Sequence, residues 1–171
     1  MAPDHAAVRF FQQLLFSCLL LLSLMGSSWA ESWSRKGTTW RCSSGIQLSF
    51  PANYSLKQGS LSSISCENDS GSFTFIPAQG AELRRQGLAG FLQMFTSKSV
   101  VFPEEWEKRK SNQVTIFLKK APFGANGDLP GNAIMGVADK GEAHLLFMML
   151  LPDKISSELQ TELDGILASF K

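Results

Sequence analysis

"EAHLLFMMLLP" (Glu142–Pro152) runs directly into "DKISSELQTELDGILASF" (Asp153–Phe170), and these two stretches together decide the fold. The first is apolar without alternation. A strand wetted on one face would alternate, so this run reads as a central strand covered on both sides. In the second, Ile155, Leu159, Leu163, Ile166, Leu167 and Phe170 recur at helical spacing with polar residues between them, the pattern of an amphipathic helix. Pro152 stops the strand, and Asp153 is placed to cap the helix. A strand dry on both faces needs a layer on each side, and this helix supplies one.

Outward from this core, "NAIMGVAD" (Asn132–Asp139) reads as the preceding strand, joined through a tight turn at Lys140-Gly141. "QVTIFLKK" (Gln113–Lys120) alternates Val114, Ile116 and Leu118 against Thr115, Phe117 and Lys119. "GIQLSFP" (Gly45–Pro51) alternates Ile46, Leu48 and Phe50 against Gln47 and Ser49, "LSSISCE" (Leu61–Glu67) is a weaker strand with Leu61, Ile64 and Cys66, and "SFTFIP" (Ser72–Pro77) sets Phe73 and Phe75 on one face. From Ala81 the period changes, and Leu88, Phe91, Leu92 and Phe95 predict a second helix. Gly87 and Gly90 each weaken it by about 1 kcal/mol relative to alanine, and allow it to pack closely on a sheet. "NYSLKQGS" (Asn53–Ser60) reads as a turn region, "SVVFPEEWEKRKSN" (Ser99–Asn112) as a connector and "APFGANGDLPG" (Ala121–Gly131) as a loop. The expected fold class is α+β: a mostly antiparallel six-stranded sheet with two amphipathic helices packed on it. The three N-terminal strands form a meander in this reading.

The dense apolar run Leu14–Met25 is shorter than the roughly 20 residues that span a bilayer. It follows Arg9 and precedes Ser28-Trp29-Ala30, which has small residues where a signal peptidase reads. Residues 1–30 are therefore expected to be a cleaved signal peptide, 31–44 a lead-in and first strand, and 45–171 a single domain. An uncut anchor is the main alternative. Lipidation of Cys18 is another, although Leu19–Leu22 continue the apolar run past the cysteine. Cleavage leaves an exported chain, periplasmic or secreted, with no membrane span.

Three cysteines are present, and one leaves with the leader. The remaining pair, Cys42 and Cys66, is expected to form a structural disulfide in an oxidising compartment; two buried thiols or a reactive thiol are the alternatives. Lys and Arg number 16 against 15 Asp and Glu, a formal charge of +1, which argues against a nucleic-acid partner. Lys108-Arg109-Lys110 is the densest basic cluster, but Glu104, Glu105 and Glu107 stand beside it, so it reads as a mixed-charge surface.

Acid–base chemistry is poorly provided for. His5 lies in the leader and His144 stands alone in a strand, so a catalytic triad would have to use His144, which reads as a structural histidine, and no zinc set can be assembled from histidines. No phosphate-loop motif occurs. Asn126 and Asp128 carry oxygen ligands of the kind calcium accepts, but the set is too short for a calcium loop. No catalytic, metal or cofactor residue is assigned. Recognition fits better. Trp106, inside "FPEEWEKRK", either packs back on the core or anchors an interface, and Phe123 has the same two readings. With Asn126 and Asp128, these residues form the expected partner-binding set.

"IQLSFPANYSL" (Ile46–Leu56) resembles the opening strand of PsbP-like domains, and "LPDKISSELQTELDGILASF" (Leu151–Phe170) resembles their closing strand end, helix and Ser-Phe finish. The resemblance implies an α/β/α sandwich. It also implies binding to other proteins without enzymatic activity, as in photosystem extrinsic subunits, DcrB-type periplasmic lipoproteins and secretion-system adaptors. The chain departs from the DcrB-type pattern in lacking a lipobox and in carrying Cys42 and Cys66. The combined expectation is an exported, non-catalytic protein-binding domain of the bacterial envelope, accessory or immunity/adaptor in type, with an unidentified protein as partner. The alternative is a small periplasmic hydrolase or ligand-processing enzyme built on Glu104, Glu107 or His144.

Overall fold

The computed structural model describes residues 33–58, 63–68, 71–96, 100–124 and 130–171. The leader with Cys18, Leu61, and Asn126 and Asp128 lie outside the described residues. Among the described residues, ten strands and two helices follow in chain order: β1 (Trp33–Lys36), β2 (Thr39–Cys42), β3 (Gln47–Ser49), β4 (Leu56–Gln58), β5 (Ile64–Asn68), β6 (Gly71–Gln79), α1 (Gly80–Thr96), β7 (Glu107–Ser111), β8 (Val114–Phe123), β9 (Gly131–Lys140), β10 (Ala143–Pro152) and α2 (Ser157–Ala168).

The run expected to be dry on both faces is β10, and every side chain from Ala143 to Leu151 is buried. It lies at the centre of a seven-stranded sheet of order β4-β5-β6-β10-β9-β8-β7, antiparallel throughout. Alternation along β10 divides the core in two. Leu145, Phe147 and Met149 join Leu159, Leu163, Ile166 and Leu167 of α2 and Trp33, Trp40 and Leu48 of the N-terminal strands. Leu146 and Met148 face the other way, onto Leu88, Phe91 and Phe95 of α1. The molecule is therefore an α/β/α sandwich whose α2 layer is completed by a separate three-stranded sheet, β1-β2-β3.

Both long helices form where the apolar spacing predicts them. In α1, Leu88, Phe91 and Phe95 are buried while Leu92 is 39% exposed, so the buried stripe is narrower than the sequence pattern. Gly87 faces the sheet so closely that a Cβ there would collide with Leu146 Cδ1, whereas a Cβ at Gly90 would meet nothing. At α2 the cap is Ser156, not Asp153: its hydroxyl oxygen accepts from Leu159 N at 3.2 Å.

The main sheet has seven strands where six are expected. β4 occupies the expected turn region and β7 the expected connector, while β1 and β2 lie in the lead-in. β1, β4 and β7 escape a search for alternating hydrophobicity because edge strands hold only one neighbour and leave much of their surface in water, whereas β2, central in the small sheet, falls where a first strand is expected. "GIQLSFP" does form a strand, β3, but it pairs with β2 in the small sheet and does not begin a meander with β5 and β6.

That change of partners takes away the shared meander in which the two thiols are expected to meet. Cys42 ends β2 in the small sheet and Cys66 lies in β5 of the large one, so they are not neighbours in a shared meander. Both are buried thiols with no disulfide between them. Cys42 Sγ lies 2.8 Å from Ser44 Oγ and donates to the Ile46 carbonyl at 3.4 Å. Denaturation with and without dithiothreitol is therefore expected to give coincident midpoints. A fall equivalent to about 2–4 kcal/mol on reduction would show a bridge.

The C-terminus ties the layers together. Gln47 and Lys171 exchange backbone hydrogen bonds of 3.0 and 3.1 Å. Ser49 N donates to Ser169 Oγ at 2.8 Å, and the Phe170 carbonyl accepts from Ser111 Oγ and Asn112 Nδ2, both at 2.9 Å. The "SF" finish thus joins β3, the β7–β8 turn and α2.

Candidate functional site

Trp106 and Phe123 are both half-buried and both pack against the core cluster on the α1 side of the sheet. Each therefore combines the two readings open from sequence, part core and part surface. Trp106 closes a connector that starts at the end of α1, where Val100 N donates to the Phe95 carbonyl at 3.0 Å and the Phe102 ring meets Phe95 edge-on at 5.1 Å. Lys119 of β8 holds the other end. Its Nζ donates to the carbonyls of Pro103 (2.7 Å) and Glu104 (2.6 Å) and lies 4.8 Å from the centre of the Trp106 ring, within cation–π range. One lysine thus fixes the path of the connector and covers its aromatic residue. Val101, between these anchors, is 83% exposed.

Phe123 ends β8 opposite Gly131 of β9. A Cβ at Gly131 would collide with Phe123 Cζ and would sit 2.6 Å from the Leu151 carbonyl, so the glycine is what lets the ring lie flat on the neighbouring strand. Phe117, further back along β8, is half-buried under two cations: Lys108 Nζ is 5.6 Å and Arg84 Cζ 5.9 Å from its ring centre. The surface beside α1 thus carries Trp106 and Phe117 beneath basic side chains, with Phe123 further along the same strand as Phe117.

Arg84 also reaches Asp139, with Nε and Nη2 donating to the carboxylate at 3.0–3.2 Å. Asp139 stands directly across the β9–β10 hairpin from His144, whose buried Nδ1 lies 2.8 Å from Oδ1. A carboxylate can only accept, so the Nδ1 proton is held there. An Asp–His pair orients imidazole in many acid–base sites. Here the carboxylate is also bound by a guanidinium, and among the described residues no hydroxyl or thiol hydrogen-bonds His144. The three side chains tie α1 to the sheet.

The carboxylates of the hydrolase reading do not converge on His144. Glu107 lies on the α2 face of β7, hydrogen-bonded to Arg109 at 2.6 Å with Lys120 at 3.7 Å, and Arg109 continues to Asp164 of α2 at 2.8 Å. The Arg109 hydrogen bond holds the carboxyls of Glu107 and Asp164 below the usual carboxylate range. A general acid working near neutral pH needs the opposite shift. Glu107 and His144 therefore sit on opposite faces of the sheet. Among the described residues no cluster of His, Cys, Asp and Glu is arranged to hold a metal ion.

The Asp139–His144 pair was missed in the sequence, where His144 reads as standing alone; the turn at Gly141-Glu142, one residue later than expected, is what sets the two opposite one another. Arg84 comes from a helix more than fifty residues earlier, and nothing in the linear pattern announces it. The lysine–aromatic stacks went unseen for a similar reason: Lys108 and Phe117 lie on different strands, and the connector reading hid the strand that pairs them.

No family model matches this chain, and no curated protein matches it. Solved structures do. A crystal structure of a protein from Bacteroides thetaiotaomicron is similar with a TM-score of 0.54 at 12% identity, covering 80% of this chain and 48% of that one, so the present chain spans about half that protein's length. The solution structure of cyanobacterial PsbP (CyanoP) from Synechocystis sp. PCC 6803 is similar with a TM-score of 0.54 at 12% identity, covering 85% of this chain and 95% of the other. The class is an α+β sandwich with a helix on each face of an antiparallel sheet. Within that class, the chain has the PsbP-like fold. Among the described residues no helix is long and apolar enough to cross a membrane.

Proposed function

We propose that this chain is an exported, non-catalytic protein-binding domain of the bacterial envelope, accessory or immunity/adaptor in type. Its partner engages Trp106 and Phe123, together with Asn126 and Asp128. The observation that carries this reading is the braced connector: Trp106 is held half-exposed by Lys119, which also clamps the Pro103 and Glu104 carbonyls. Rigid aromatic side chains beside cations are the usual anchors of protein interfaces, because their ordering cost is met before the partner arrives.

Trp106→Ala combined with Phe123→Ala tests the surface. Each truncation of a half-buried ring should cost about 1–2 kcal/mol, below the roughly 3–5 kcal/mol of a fully buried one, while partner capture falls at least about tenfold. Undiminished capture would overturn the assignment, and so would a stability loss as large as that of a core ring.

Export is tested separately. Residues 1–30 act as a signal peptide in this reading, and the domain begins after a short lead-in. The intact mass of the exported protein should then correspond to a chain starting at Glu31. A mass that retains Met1–Ala30 would replace cleavage with anchoring.

A further inference from the structure

We propose that the outer edge of β7 accepts an extended acidic segment of the partner as an eighth strand, with carboxylates at alternate positions beside Lys108 and Lys110. The inference rests on the protein-binding reading above and specifies the partner's chemistry.

β7 is the last strand of the sheet. Its hairpin with β8 closes through Asn112 (φ 52°) and Gln113, with Ser111 opposite Val114. In an antiparallel hairpin of this kind the closing pair is hydrogen-bonded, and bonded and non-bonded pairs then alternate. Ser111, Arg109 and Glu107 therefore spend their backbone groups on β8, while Lys110 and Lys108 direct theirs outward. Among the described residues, neither lysine makes a backbone hydrogen bond outside the sheet pairing.

The side chains of the same two residues lie on the α1 face, where Lys108 is positioned over Phe117. Among the described residues no carboxylate forms a salt bridge with Lys108, Lys110 or Lys119. On the α2 face the situation is reversed: Arg109 is neutralised by Glu107 and Asp164. The acids nearest in sequence on the α1 side are Glu104 and Glu105, exposed on the connector, while Asp139 is committed to Arg84 and His144. Outward backbone groups and unneutralised cations thus coincide at the same two positions.

That coincidence defines what can pair. A second copy of β7 laid antiparallel would bring lysine against lysine, and like charges directly opposite are destabilising. A strand with Asp or Glu at positions i and i+2 would meet both lysines with opposite charge while completing the backbone ladder. The lysines reject the self-complementary partner and select the acidic one, the usual logic of specificity in strand addition.

Fluorescence anisotropy with the folded chain tests this, using a labelled peptide of alternating glutamate and valine. Three comparisons accompany it: a lysine–valine counterpart, an acidic peptide methylated on alternate backbone nitrogens, and a single-stranded DNA of equal charge. The acidic peptide should bind. Lys108→Glu with Lys110→Glu, backbone methylation, and the lysine–valine sequence should each weaken binding at least about tenfold, with the variant's unfolding midpoint unchanged. Absence of binding by the acidic peptide overturns the proposal. Indifference to methylation also overturns it, because charge alone would then suffice; equal binding of the DNA overturns the choice of an acidic protein strand. If the charge-reversed variant still captures the natural partner while the Trp106/Phe123 variant does not, the edge proposal falls and the protein-binding reading stands. Undiminished capture by both variants removes both.

Discussion

Phe170→Ala should cost about 3–5 kcal/mol, the range for truncating a fully buried phenylalanine, against a total stability of roughly 5–15 kcal/mol for a domain. Phe170 is wholly buried just beyond the end of α2. Its ring lies 6.5 Å from Phe75 of β6 and 6.0 Å from Phe147 of β10. Phe50, at the end of the β3 segment, meets Phe75 edge-on at 5.4 Å, so the cluster also reaches the small sheet. Removing one member opens a void where three layers meet, and none of them can close it without leaving another. The polar contacts of the same segment keep the chain in place: the backbone exchange of Lys171 with Gln47 and the Ser111 and Asn112 bonds to the Phe170 carbonyl do not depend on the ring. The loss should therefore appear as a lower guanidinium midpoint with little change in the dependence on denaturant. A cost below about 1 kcal/mol would show that the cluster does not hold the layers together, since that is well under the usual core range.

Gly136→Ala is expected to destabilise by about 2–3 kcal/mol or more, the upper part of the range for overpacking. Gly136 lies in β9 between Phe147 of β10 and Leu118 of β8. An added Cβ would collide with Phe147 Cζ and would sit 2.5 Å from the Phe117 carbonyl oxygen. Neither obstacle can yield cheaply. The Phe147 ring is itself packed on Phe75 and Phe170, and the carbonyl belongs to the neighbouring strand's backbone. Gly90→Ala provides the opposite result within the same molecule. A Cβ there meets nothing within 4 Å, so helix propensity should dominate and stabilise by up to about 1 kcal/mol. Thermal or denaturant unfolding of the two variants checks both signs. A neutral Gly136→Ala would mean that β9 and β10 separate more readily than their packing implies.

The candidate surface divides along similar lines. Trp106 stands out among charged neighbours and Phe123 at the start of a Gly-rich stretch, and both lie on the α1 side of the sheet. The bracing of Trp106 by Lys119 is a contact between residues thirteen apart, made only when the connector folds back over β8. The structure shows Cys42 and Cys66 without a disulfide between them, and their placement follows from the same kind of long-range choice. An even cysteine pair in an exported chain is a reasonable sign of a bridge, but whether two thiols meet depends on which strands pair.

The sequence by itself determined the type and order of the long elements: the doubly buried β10, its neighbours β8 and β9, the strand β6, and both helices. Hydrophobic periodicity is a local property, and these elements bury enough side chain for it to show. It also supplied the terminal anchors by which the PsbP-like fold could be suspected. Tertiary structure alone decided that β3 leaves the main sheet for a small one with β1 and β2, that β4 and β7 form its edges, and that Cys42 and Cys66 lie in separate sheets. Those outcomes depend on backbone pairing and on contacts between distant segments, and neither leaves a periodic mark on a short polar strand.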